Sequence, residues 1–248
     1  MRRRHFARLL ALAPWARAAD AAPRPRHRVA MLGVAHAHAA GKLAALRALP
    51  ERFEVVGVAE ADPARRAAVQ RSRNYDGLAW RTEAEWLADP TVVAVAVETT
   101  MADATPVALR ALRAGKHVHL DKPGGIDHEA FAAMRREAEQ RRRQVQMGYM
   151  LRHNPGLRLV REAVAAGWLG KITGYDAGMG KKADAGLRRA LLAHPGHGMM
   201  ELGCHLTDLT VTLLGVPSAV RARPSGQGPR SCPTGSAPRC AMRGARRP

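Results

Sequence analysis

Residues 28–41, "RVAMLGVAHAHAAG", decide the fold. A valine- and leucine-bearing run, Val29 to Leu32, ends at Gly33 and passes into an alanine-rich stretch that reads as the start of a helix. A dinucleotide-binding turn has the form G-x-G-x-x-G, whose glycines permit a tight turn, close approach of a pyrophosphate and close helix packing. The corresponding positions here are Gly33, Ala35 and His38. Ala35 is small enough to admit a phosphate, whereas His38 departs from the rule. Alone, the motif fits an ordinary strand-to-helix turn equally well.

The same rhythm continues downstream. "FEVVGVAE" (53–60), "VVAVAVET" (92–99), "HVHL" (117–120) and "VQMGYM" (145–150) are nearly continuous in apolarity, which suits strands buried on both faces. Between the strands, helices are expected over His38–Leu49, Pro63–Asn74, Ala104–Ala114 and His128–Arg142. Pro63 suits a first helical turn and Gly115 a C-cap. Alternating strands and helices predict an α/β fold with a doubly wound parallel sheet. The second strand closes at Glu60, 22 residues beyond His38. A carboxylate there accepts hydrogen bonds from the adenosine ribose and repels a 2′-phosphate, favouring NAD; nearby Arg65 and Arg66 keep NADP open. Either set also reads as a solvated helix start.

Residues 117–125, "HVHLDKPGG", place a lysine between an acid and a proline in a chain with six lysines among its 40 basic residues. Proline disfavours the helical region for its predecessor, so Lys122 is expected to be extended, with Gly124 and Gly125 releasing the backbone into a turn. An ammonium at a strand's carboxyl end lies where open α/β sheets bind ligands. A surface turn with an exposed ion pair is the other reading.

After Gly148 the pattern changes. "NPGLRLVREAVAAGWLG" (154–170) reads as an amphipathic helix with Leu157, Val160, Val164 and Leu169 on one side. "KITGYDAGMG" (171–180) reads as a strand, "ELGCHLTDLTVTLLG" (201–215) as a helix, and "PSAVRARPSG" (217–226) as the start of another strand. Glu201 and His205, four apart, share a helical face, with Asp208 one turn further. An acid beside a histidine can orient the imidazole and raise its basicity. His197, Glu201 and His205 at i, i+4, i+8 are also spaced to ligate a metal, although this is not the H-E-x-x-H arrangement; a core or capping role is the third reading. The preferred one is proton handling, with no metal.

"AGKHVHLDKP" (114–123) resembles the segment around the Glu-Lys-Pro motif of the Gfo/Idh/MocA oxidoreductases. "GYMLRHNPGLRLVREAVAAGWLGKI" (148–172) resembles the opening of their second domain, and "ELGCHLTDL" (201–209) their Asp-x-Gly-x-His helix. The resemblance covers about Arg28 to Arg223 and implies a Rossmann domain followed by an α/β domain on a large, mainly antiparallel sheet. It also implies hydride transfer between NAD or NADP and a sugar or polyol, and a homo-oligomer. Some exported relatives cleave glycosides with the cofactor's help, and a cofactor-binding remnant without turnover is a further alternative.

By motif, the resemblance makes Lys122 the catalytic-centre lysine, His205 the general base and Glu201 the acid orienting both. Asp121 replaces the usual glutamate. The cofactor-facing set is Gly33, Ala35, His36, His38, Glu60, Thr99, Asp121 and Lys122; Thr99-Thr100 stands in place of a threonine-proline turn. Domains are expected at 28–148 (Rossmann) and 149–224 (a partial α+β domain), with a basic extension or export signal over 1–27 and a disordered tail over 225–248. That tail, irregular just after Arg223 where the family continues with further strands, reads as a truncation or frame shift.

The net charge of +19 suggests a polyanionic partner. Residues 1–28 and 221–248 together carry 15 Arg and one Asp, so the central body holds only +5. With 4% aromatic residues there is little stacking surface for single strands, and nucleic-acid binding is not expected. Cys204, Cys232 and Cys240 have no zinc spacing; Cys232 and Cys240 either bridge or remain free. No apolar run reaches membrane-spanning length. Arg3-Arg4-His5-Phe6 has the look of a twin-arginine signal, with small-residue cleavage sites at Ala16–Ala18 and Ala19–Ala21, so a periplasmic or exported location is expected, and otherwise a cytoplasmic one.

Overall fold

A computed structural model describes residues 25–180, 182, 184–192, 195–221 and 239–240. Its first half is a six-stranded, all-parallel sheet. The strands are β1 (His27–Leu32), β2 (Phe53–Ala59), β3 (Ala79–Trp80), β4 (Ala94–Val97), β5 (His117–Leu120) and β6 (Val145–Met147). Their spatial order, β3-β2-β1-β4-β5-β6, reverses between β1 and β4. That reversal is a topological switch point, and it opens a crevice at the carboxyl ends of those two strands.

Side chains of successive strand residues point to opposite faces, and both faces here are buried. From β1, Ala30 and Leu32 join one cluster with Val95, Val97, Leu112, Leu120 and Met134. Met31 joins the other, with Leu43, Val58 and Tyr75. The first cluster is covered by α3 (Glu83–Ala88), α4 (Met101–Arg113) and α5 (His128–Gln140); the second by α1 (Ala39–Arg47). The expected doubly wound arrangement is therefore present.

Boundaries differ where side-chain caps decide them. α4 starts at Met101, not Ala104, because the Thr100 side chain accepts the Asp103 N–H. α2 (Pro63–Val69) stops before Asn74, and a 3-10 turn at Arg73–Tyr75 drives Tyr75 into the core. The sequence reading passed over β3 and α3. Yet Thr82 and Glu85 form a reciprocal capping box, a signal visible as T-x-x-E.

Beyond β6 the structure is looser. A 3-10 turn (Met150–His153) leads into α6 (Pro155–Ala165), capped by Asn154. The strand expected over 171–180 shrinks to β7 (Ala177–Gly178), paired antiparallel with β8 (Arg239–Cys240). α7 (Ala185–Leu192) was not foreseen. A π-helical turn, Met199–Gly203, runs into α8 (Cys204–Leu214), which packs on α6 and the 150–153 turn. Residues 217–221 carry no strand. Residues 1–24, where an export signal was expected, Cys232, and the tail apart from β8 lie outside the described residues.

Candidate active site

Gly33 follows β1 with φ +83°, in the left-handed region, and a Cβ there would lie 2.6 Å from Thr99 Cγ2. A glycine is required for both reasons. Thr99 therefore lines the floor of the turn. The Glu60 carboxylate accepts the Val34 N–H (2.9 Å) and the Asp62 N–H (2.9 Å), bridging the carboxyl ends of β1 and β2. Arg65 lies 3.5 Å from Glu60 and pairs with Asp62 at 3.0 Å. Thus Gly33, Glu60 and Thr99 of the expected cofactor set meet at the switch point.

His36, His38 and Asp121 form the next group. His38 Nδ1 lies 3.1 Å from Asp121 Oδ2 and His36 Nδ1 lies 3.7 Å from it. Lys42 Nζ approaches the same oxygen at 3.8 Å. Strand pairing brings two further residues in. Ala96 pairs with His119 and Val97 with Leu120, so Glu98 emerges opposite Asp121. Glu98 is fully buried, 3.6 Å from His36 Nδ1. Burial, reinforced by the Asp121 charge, pushes its carboxyl up to about 8. Burial also opposes ionisation of Asp121, but the His38 hydrogen bond and the charges of His36, His38 and Lys42 outweigh it and hold this acid below its ordinary range. Burial lowers the His119 imidazole to about 4 and also lowers His36.

Lys122 of the 117–125 stretch is buried, not part of an exposed surface ion pair. Lys122 precedes a cis peptide bond to Pro123, with Gly124 (φ +92°) and Gly125 (φ +133°) turning the chain behind it. Its Nζ donates to Glu201 Oε1 (2.5 Å) and to the Glu201 carbonyl (3.1 Å) across 79 residues of sequence. His205 follows within α8, 3% exposed, its ring set edge-on to Tyr149 at 6.2 Å. The expected trio of Lys122, Glu201 and His205 is therefore assembled, with one correction. Glu201 binds the lysine, and His205 Nδ1 has no hydrogen-bond partner among the described residues. Burial, then the Lys122 charge, lowers the His205 pKa, where the neighbouring acid was expected to raise it. Glu201 also sits in a π turn, so the simple helical-face relation to His205 does not hold; such turns are frequent at functional sites.

Two residues that fix this trio were not singled out as a pair. Arg152 forms a fork on Asp208, with Nε 2.9 Å from Oδ2 and Nη2 2.5 Å from Oδ1, tying α8 to the 150–153 turn. Beside them an open depression of about 430 Å³ is lined by Pro123, Tyr149, Met199, Met200, Cys204, Thr207, Asp208 and Val211. Ala35 is part-exposed in the turn and contributes only its small size.

Residues 27–149 match the family described as oxidoreductases with an NAD-binding Rossmann fold, the Gfo/Idh/MocA family. An uncharacterized oxidoreductase of Schizosaccharomyces pombe is 27% identical over 192 residues, covering 73% of this chain and 50% of the relative. Among solved structures, scyllo-inositol dehydrogenase from Lactobacillus casei, with bound NAD(H) and scyllo-inositol, is similar at TM-score 0.66. That match has 18% identity and covers 78% of this chain and 57% of the other. An NAD-binding protein from Listeria innocua is similar at TM-score 0.60 with 22% identity, covering 76% and 55%. The chain spans about half the length of the curated relative it matches. Among the described residues, no helix is long and apolar enough to cross a membrane.

Proposed function

The chain belongs, through residues 27–149, to the Gfo/Idh/MocA oxidoreductases, and from that premise we propose that it moves hydride between NAD and a hydroxyl-bearing carbon of a sugar or polyol. The observation that carries this reading is the buried Lys122 ammonium, held by Glu201 at the carboxyl end of β5 with His205 beside it. The dinucleotide fits the residues present. Gly33 leaves the space a Cβ would fill, Ala35 keeps the turn small, and Glu60 offers a carboxylate at the end of β2. Gly33, Ala35, His36 and His38 would face its phosphates, and Glu60 its ribose. When bound, the nicotinamide supplies the hydride acceptor or donor.

The protein's own groups handle charge and proton. Oxidising an alcohol leaves developing negative charge on oxygen, and the buried Lys122 ammonium stabilises it. His205, kept neutral by burial and by the Lys122 charge, takes the hydroxyl proton. Glu201 holds the lysine in place. The substrate class is supported by the inositol carried by the Lactobacillus casei relative.

NADH added to the purified chain should quench or raise its melting transition, with NADP(H) as the comparison. In a polyol and sugar screen, Lys122→Ala should lower kcat by about 10²–10³-fold while NADH still binds. Absence of binding by either cofactor at millimolar concentration would overturn the reading. Export through Arg3-Arg4 belongs to the same reading and is supported by the sequence alone; mature protein starting near Ala19 or Ala22 in a periplasmic extract is the expected result.

A further inference from the structure

The hydride-transfer reading leaves Glu98 without a task, and its surroundings suggest one. Glu98 is fully buried, and as a carboxylate neither of its oxygens finds a hydrogen-bond donor among the described residues. Buried polar atoms are rarely left so, because the desolvation cost is not recovered. Glu98, His119 and Asp121 each bring a side-chain oxygen or nitrogen within 4.8 Å of the others. An ionised carboxylate only accepts hydrogen bonds, so two of them side by side repel unless one holds a proton. We propose that Glu98 is a positioning residue: it carries one proton that it shares with Asp121, so that the turn after β1 and Lys122 are anchored on one buried negative charge and not two.

The groups facing Glu98 leave this place to a proton. His36 Nδ1 lies 3.6 Å from Glu98 Oε2, and it already accepts the His38 N–H at 3.2 Å. Hydrogen bonds between nitrogen and oxygen run to about 3.2 Å. His119, on β5, is held neutral by burial. From α1, Lys42 reaches Asp121 Oδ2 at 3.8 Å, and at the end of β5 the Lys122 ammonium is engaged by Glu201. Both lysine charges favour an ionised Glu98, but burial and the Asp121 charge outweigh them and push its carboxyl up to about 8. The proton therefore belongs to the pair at neutral pH. Tyr75, from the 3-10 turn, stays a neutral phenol through burial and the charges of Glu98 and Glu60.

Asp121 is where this proton acts. Its Oδ1 accepts the Lys122 N–H at 2.7 Å, and its Oδ2 lies 3.1 Å from His38 Nδ1. One carboxylate thus ties the backbone of the lysine to the turn between β1 and α1. The His36 N–H donates to the Glu98 carbonyl at 2.9 Å, so main chain and side chain of Glu98 both bear on that turn. Losing the proton puts a second negative charge beside His36 and His38, which face the dinucleotide phosphates in the proposed function. That consequence rests on the proposed cofactor site; the shared proton does not.

Infrared spectra of the full chain should show a protonated-carboxyl C=O stretch at about pH 7, where ordinary aspartates and glutamates are ionised. The band should disappear with a midpoint of about 8. Glu98→Gln should remove it, and Asp121→Asn, which takes away the charge that retains the proton, should move its loss to lower pH. NADH affinity should fall about tenfold between about pH 7 and 9, since only the protonated fraction is competent. Glu98→Gln keeps a donor toward Asp121 but cannot ionise, so it should show no such fall; Glu98→Ala should bind weakly at every pH. No band, a band unchanged in Glu98→Gln, or an equal fall in affinity in that variant would overturn the proposal. If the variants do not fold, the band and its midpoint in the unaltered chain decide. Absence of NADH binding at every pH would defeat the cofactor reading and leave the band to judge the shared proton, so the two fail separately.

Discussion

The two halves of the molecule use the same kind of apolar residue to different effect. In residues 27–149 the apolar strands are covered on both faces, so Leu112, Leu120 and Met134 are fully buried. In residues 150–221 the amphipathic pattern is just as clear, yet only Ala163 of α6 is buried and Leu159 is 57% exposed. Trp168, Leu169, Val216 and Val220 are exposed as well. A helical period specifies which face seeks burial; it does not supply the surface that buries it. The second half buries little beyond Leu206 and Leu209 of α8, and particular polar links add to that hold: Lys122 to Glu201 and Arg152 to Asp208.

That contrast can be broken most directly in the core. Leu112→Ala should destabilise the fold by about 2–5 kcal/mol, through lost burial and the cavity left behind. Leu159→Ala should change stability by less than about 0.5 kcal/mol. Equal losses in thermal or denaturant unfolding would show that α6 is buried by something after all.

A smaller effect tests the polar tether. Arg152→Ala leaves the Asp208 carboxylate buried without its partner. With half of the arginine side chain exposed, a loss of about 1–2 kcal/mol is expected, confined to the second half. Hydrogen exchange should accelerate in α8 and not in β1, β4 or β5. A uniform change across both halves would mean that the tether supports the whole fold.

The subtlest test concerns His205. Its pKa is lowered from 6.5 by burial and the Lys122 charge, so the base stays unprotonated down to a pH below that value. The kcat/KM of the proposed oxidation should be flat from neutral pH to about 6.5 and fall only beneath it. An acid limb above 6.5 would place His205 in a more solvated setting than the structure gives it.

Much of this was legible beforehand. Continuous valine-rich runs alternating with helical segments are enough to specify a parallel sheet, because burial on both faces removes the polar alternation of other strands. Gly33, Glu60 and Lys122 were legible for a similar reason, since each stands at a strand's carboxyl end. Shorter signals were passed over: the Thr82–Glu85 capping box that opens α3, and His119, two residues before Asp121 on the same face of β5. Glu98 looked like the last residue of an apolar strand.

The sequence by itself determined the alternation of elements, the switch-point turn and the candidate trio, since these depend on local period and motif. Only the tertiary structure decided that Glu201 clasps Lys122 rather than His205, that Glu98 stands opposite Asp121, and that α6 keeps an apolar face in solvent. The physical reason is range. Local sterics and hydrophobic period act over a few residues, whereas contacts such as Lys122 to Glu201, 79 residues apart, depend on where the whole sheet and α8 come to rest.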